Sequence, residues 1–246
     1  FVGPLIGGML ADMLSLSYAF FILSVIALVS ILFAWSLTAN EIENKQKKQP
    51  LGSVFSTFYL LKIKNVRRAF LISSLVLLGK DMFAAYFPLL GLQFGLSSTS
   101  IGVIVSVNAI AGIFVRLFMP KLIDLFGRAN VILLSIVSSG VFFVFMPLSH
   151  HAVWLGAISF LLGVGLGIGQ PLTIATTLQS LPKDRVAEGL GFRLTSNRLT
   201  QTAAPFVFGV IAQSFGIVSV FFISGALILL GSTKAKIDEH ALLKDE

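Results

Sequence analysis

The chain has 246 residues, 56% of them hydrophobic and only 12% charged, with a mean hydropathy of +0.93 and a formal net charge of +7. A soluble domain carries about 25% charged residues, so this composition does not coat a water-soluble globule. Cysteine is absent, which excludes a disulfide framework and a thiolate metal site. A bilayer crossing needs about 20 mainly apolar residues. By that measure a partial span covers residues 1–11, and full spans cover 17–38, 68–92, 99–119, 129–148, 152–178, 189–213 and 216–233. The breaks between them carry turn chemistry: Asp12 to Ser17, Gly95 to Ser98, Gly127 to Asn130, Ser149 to His151, Pro182 to Asp184 and Ser214 to Gly216. The apolar runs lack two-residue alternation and are about twice the ~10-residue length of a barrel strand. The expected class is therefore an all-α, polytopic integral membrane protein.

Charge sets the expected orientation. With residues 39–67 placed on the cytoplasmic side and each span reversing direction, 14 of the 18 Lys and Arg residues lie inside. The turns on the opposite face contain none, which is the asymmetry of the positive-inside rule. The basic balance thus reflects insertion into a lipid bilayer rather than binding of nucleic acid. Residues 40–50 (NEIENKQKKQP) read as a polar linker. Beyond it, Leu51, Val54, Phe55, Phe58 and Leu61 recur at helical spacing before Lys62, Lys64, Arg67 and Arg68, predicting an amphipathic helix on the membrane surface.

Three motifs carry a resemblance. Residues 3–8 read GPLIGG, in which Pro4 removes a backbone donor while Gly3, Gly7 and Gly8 allow a neighbouring helix close. Residues 120–128 read PKLIDLFGR, with Arg116 one turn earlier. Residues 163–171 read GVGLGIGQP and are followed by Gly191, Phe192, Arg193, Asn197, Arg198, Ala204, Pro205 and Gly209. The first is similar to the GPxxGG motif in the fifth helix of major facilitator superfamily transporters. The second resembles a degenerate copy of that family's GxxxDRxGRR loop, with Pro120 and Leu125 at positions the motif gives to Gly and a basic residue. The third is similar to the family's tenth and eleventh helices.

The resemblance implies that residues 1–38 end an N-terminal bundle and 39–67 are a cytoplasmic linker. It also implies that 68–233 form a six-helix bundle, that 234–246 are a cytoplasmic tail, and that the family's first four helices precede Phe1. It further implies alternating access in a multi-pass protein of the cytoplasmic (inner) membrane, with a small-molecule substrate and protons as partners and no cofactor. Arg116, Asp124, Gly127 and Arg128 are then expected to act as a conformational motif, the three charges clustering to latch one access state. The GPxxGG match points to export of amphiphilic, drug-like compounds. Alternatives are an importer of organic anions or sugars, and a non-transporting receptor or scaffold with the same fold.

Candidate site residues are the polar groups inside the spans. Lys80, twelve residues past Arg68, lies about 18 Å into a core about 30 Å thick, with Asp81 beside it. An ion at that depth costs at least about 2.5 kcal/mol and reads as a substrate counter-charge or a proton-coupling group. The alternative is an interhelical ion pair. Asn108, Gln170 and Thr173 lie at similar depth, with Tyr86 toward the outer side; each either orients a ligand or ties helices together. Arg193 and Arg198, like Arg116, are expected nearer the cytoplasmic ends of their spans, lining a cavity or snorkelling to headgroups. His150 and His151 have no third ligand nearby, and no arrangement of nucleophile and base suggests an enzyme.

Overall fold

The computed structural model describes residues 2–14, 59–181 and 185–234, together with scattered helical positions between 17 and 29. Seven numbered helices are defined there: α1 (Val2–Met13), α2 (Lys64–Gln93), α3 (Ser98–Phe126), α4 (Arg128–Phe145), α5 (Ala152–Gln179), α6 (Val186–Phe215) and α7 (Ile217–Ser232). Short 3-10 turns cover Tyr59–Lys62 and Met146–Leu148. The linker at 40–50, the first two turns of the expected amphipathic helix and the tail beyond Lys234 lie outside the described residues.

Four helical segments are long and apolar enough to cross a membrane: Lys64–Gln93, Ser98–Phe126, Arg128–Leu148 and Ala152–Gln179. The expected span 17–38 lies mostly outside the described residues, and two further expected spans differ from these. α6 has 30 residues, but Glu188, Arg193, Asn197 and Arg198 lower its hydropathy. α7 has 16 residues, about 24 Å of helix, against a hydrocarbon core about 30 Å thick. The protein is nonetheless built for lipid. Large apolar side chains such as Val153, Leu125, Phe206, Leu117 and Leu199 face outward, while Ser73, Ser135, Ser159, Thr173, Thr176 and Ser224 are buried. A soluble fold reverses that distribution.

Consecutive helices reverse direction. α5 runs parallel to α3, since Asn108 meets Ser159 and Arg116 meets Gly167. It runs antiparallel to α4, where Ser135 meets Gly165 and Arg128 meets Gln179. It is antiparallel to α2 as well, with Val76 against Gly169 and Gly79 against Leu166. α6 lies parallel to α2, pairing Ser73 with Asn197 and Tyr86 with Gly209. The result is an up-down bundle with α5 in contact with α2, α3, α4 and α6.

Glycine makes the close crossings possible. The run at 163–169 divides by face: Gly163 and Gly167 meet Asn108, Gly112 and Val115 of α3, Gly165 meets Ser135 and Ser139 of α4, and Gly169 meets Val76 of α2. Two turns are tighter than the sequence suggested. Gly127 (φ 75°) and Gly216 (φ 84°) each reverse the chain as single residues, so α4 starts at Arg128 and α7 at Ile217. Residues 120–126, expected to form a loop, instead continue α3 as helix to Phe126. α3 therefore extends past the expected span end at 119, and α2 begins four residues before the expected span start, at Lys64.

Candidate functional site

A polar seam runs through the middle of the bundle where α2, α5 and α6 meet. Arg193 is 4% exposed, so the snorkelling alternative does not hold. Its Nη2 donates to Gln170 Oε1 (2.9 Å) and Thr173 Oγ1 (3.0 Å), and its Nε is buried without a partner. Gln170 donates onward to the Ser73 carbonyl (3.2 Å), and the Ser73 hydroxyl donates to Asn197 Oδ1 (3.0 Å). Helical spacing builds this arrangement: Gln170 and Thr173 share one face of α5, and Arg193 and Asn197 share one face of α6. The seam places one guanidinium among neutral acceptors. Among the described residues the only ion pair is Arg185–Glu188, at 2.8 Å on the bundle rim.

Lys80 lies on the same stripe of α2 as Ser73, two turns further along. It is half-buried and makes no hydrogen bond or ion pair among the described residues. Asp81 is also half-buried, and its Oδ2 has no partner among the described residues. Adjacent helix positions point 100° apart, and no Lys80–Asp81 ion pair forms.

The remaining candidates separate into distinct groups. Asn108 donates to the Ser159 carbonyl (2.9 Å) and thus ties α3 to α5. Tyr86 is buried with its hydroxyl toward Gly209 of α6. Arg198 is exposed and donates to Gln201 on its own helix (2.8 Å). His150 stacks on Phe94 with ring centroids 4.1 Å apart, and no metal-binding group of three or more His, Cys, Asp or Glu residues occurs among the described residues.

The expected charge cluster does not form. Arg116 Nε donates to the Gly167 carbonyl (3.1 Å), Arg128 donates to Gln179, and Asp124 is exposed and makes no ion pair among the described residues. The reason is that α3 continues as helix beyond Arg116. That places Arg116 at the middle of α5 and away from the end of α3, some ten residues before the turn at Gly127.

At the opposite end of α3 the structure adds a group that sequence reading had left in a turn. Asp12, one residue beyond the apolar stretch 1–11, accepts from the amides of Ser98 (3.0 Å) and Thr99 (2.6 Å) at the start of α3. Hydrogen bonding from Thr99, then from Ser98, holds its carboxyl down at about 2. Gly8 and Gly102 bring the two backbones together just below, with the Pro4 carbonyl against Gly102; Gly3 and Gly7, expected to admit the neighbouring helix as well, meet no atom within 4 Å among the described residues because they point away from this contact. Sequence reading also missed Ser73, and named Asn197 only within a motif, not as a site residue. The i to i+4 spacing of Arg193 and Asn197 was the available signal.

The model of the Major Facilitator Superfamily matches residues 69–237. An uncharacterized MFS-type transporter of Methanocaldococcus jannaschii is 24% identical over 89% of this chain and 58% of its own length. The multidrug resistance protein MdtG of Citrobacter koseri is 22% identical over 94% of the chain and 58% of its own. A multi-drug resistance efflux pump PmrA homolog of Lactococcus lactis is 24% identical over 86% and 53%. The chain thus spans less than two thirds of the length of each. With its all-helical, multi-pass bundle and a family match over most of its residues, this chain belongs to the Major Facilitator Superfamily.

Proposed function

We propose that the chain is the C-terminal portion of a secondary transporter that exports small amphiphilic compounds by alternating access, coupled to protons, across the cytoplasmic membrane with its C-terminus inside. The observation that carries this reading is the set of charges kept inside the bundle without ion-pair partners among the described residues: Lys80, Asp81 and Arg193. A charge at membrane depth costs about 2.5–3.5 kcal/mol and persists where it binds a ligand or moves a proton. Asp81, with one carboxylate oxygen free, is the proton-coupling group. The two multidrug-resistance relatives support export as the direction and amphiphilic compounds as the substrate class.

The test uses the full-length polypeptide in proteoliposomes. An imposed pH gradient is expected to drive accumulation of an amphiphilic fluorescent dye, and Asp81→Asn to abolish it while insertion stays normal. Flux indifferent to the gradient overturns the transporter reading. Gradient-driven flux that survives Asp81→Asn at wild-type rate removes Asp81 from the coupling role.

A further inference from the structure

Arg116 and Lys80 stand at one height on either side of α5. Arg116 Nε donates to the carbonyl of Gly167, and Gly79, the residue before Lys80, packs against Leu166. Gly167 is fifteen residues from the start of α5 and twelve from its end, about 22 Å and 18 Å along the helix. Both cations therefore sit near mid-depth, beyond the reach of lipid headgroups at either surface. They lie within electrostatic reach of each other, and Asp81 is the anion that acts on Lys80 among the described residues.

The backbone bond to Gly167 fixes the Arg116 head by one nitrogen and leaves the outer edge of the guanidinium free. Arg116 is exposed and Lys80 half-buried, so the described residues do not close over either head. With Asp81 ionised, the three side chains carry a net positive charge, and neither cation has a carboxylate within ion-pair distance among the described residues. Two like charges at the same membrane depth are both stabilised by an anion placed between them.

We propose that Lys80 and Arg116 form an anion-binding site at mid-depth, taking the carboxylate, sulfonate or phosphate-type group of an amphiphilic substrate. The guanidinium supplies a planar fork for two oxygens and the ammonium a mobile point charge. This names the substrate class of the transporter reading and rests on it for its purpose, though binding itself is measured without any gradient.

The experiment is equilibrium dialysis of the full-length protein in detergent with two permanently charged probes, naphthalene-2-sulfonate and a naphthyl trimethylammonium. The sulfonate is expected to bind at least tenfold tighter than the ammonium probe. Lys80→Gln and Arg116→Gln are each expected to weaken it at least tenfold, while Lys80→Arg and Arg116→Lys stay within threefold of wild type. If Lys80→Gln does not fold, Arg116→Gln carries the test, because its side chain is exposed. The proposal is overturned if the sulfonate binds no tighter than the ammonium, as it does where a carboxylate from elsewhere in the polypeptide already fills the site. It is equally overturned if the Gln variants bind like wild type, or if the charge-keeping variants lose as much as the Gln variants. Sulfonate binding without gradient-driven flux removes only the transporter reading. Gradient-driven flux of a cation without sulfonate binding removes only the anion site.

Discussion

Gly167→Ala tests whether α3 and α5 touch backbone to backbone. A methyl at this position meets Gly112 Cα at 2.6 Å, the Gly112 carbonyl oxygen at 2.8 Å and Val115 Cγ1 at 3.0 Å. Two of those atoms are main chain and have no rotamer to escape into, so the helices must move apart. Overpacking of this kind costs about 1–3 kcal/mol. Alanine also gains about 0.8–1.0 kcal/mol of helix propensity over glycine, which obscures the effect in a single variant. Gly156→Ala on the same helix removes that ambiguity, because nothing lies within 4 Å of its new Cβ. The propensity gain cancels between the two, leaving a difference of about 1–3 kcal/mol, with Gly167→Ala the less stable. Reversible unfolding of the full-length protein in mixed detergent micelles measures it. Equal stability of the two variants refutes the close approach and, with it, the register that sets Arg116 opposite Gly167.

The Asp12 contact is expected to be indifferent to pH across the physiological range. Its carboxyl is held at about 2, so the stabilisation is complete above the ordinary value of 3.8 and is lost only as pH falls toward 2. Spin-label distances between α1 and the start of α3 should stay constant from pH 8 to pH 5, and a change within that window contradicts the assignment. Arg193→Ala leaves Gln170 Oε1 and Thr173 Oγ1 without their donor and is expected to cost about 1–3 kcal/mol in the same unfolding assay. A neutral result there places water or another donor in the seam. Reporters fused within residues 40–50 and at His150 should score as cytoplasmic and external respectively; the same side for both reverses the orientation argument.

The helices were legible because lipid imposes a simple composition rule, and α5 and α2 obey it along most of their length. Their ends were less so. Pro120 and the charges Lys121 and Asp124 suggested a loop, yet a proline in a helix removes only one hydrogen bond, and Gly127 supplies a stronger stop. That local choice moved Arg116 from a rim position to mid-bundle. Lys80 and Asp81 stood out because ions inside apolar runs are rare. Ser73 did not, since small polar residues are common in membrane helices and only the packing of α2 on α6, seen in its bond to Asn197, distinguishes it. Asp12 was hidden for a different reason: its partners are backbone amides 86 and 87 residues away, and amides carry no side-chain signature.

The pairing of α3 with α5 has a consequence for synthesis. Two of its polar ties, Asn108 to Ser159 and Arg116 to Gly167, each span 51 residues, with the whole of α4 lying between. At 5–20 residues per second, translation takes about 3–10 s to cover that distance. For that interval α3 has left the ribosome while the glycine surface it packs against does not yet exist. Its Arg116 has no carbonyl to bind and its Gly112 no partner backbone. The insertion machinery must therefore retain α3 beside it, or let it wait at the membrane boundary, until α5 arrives.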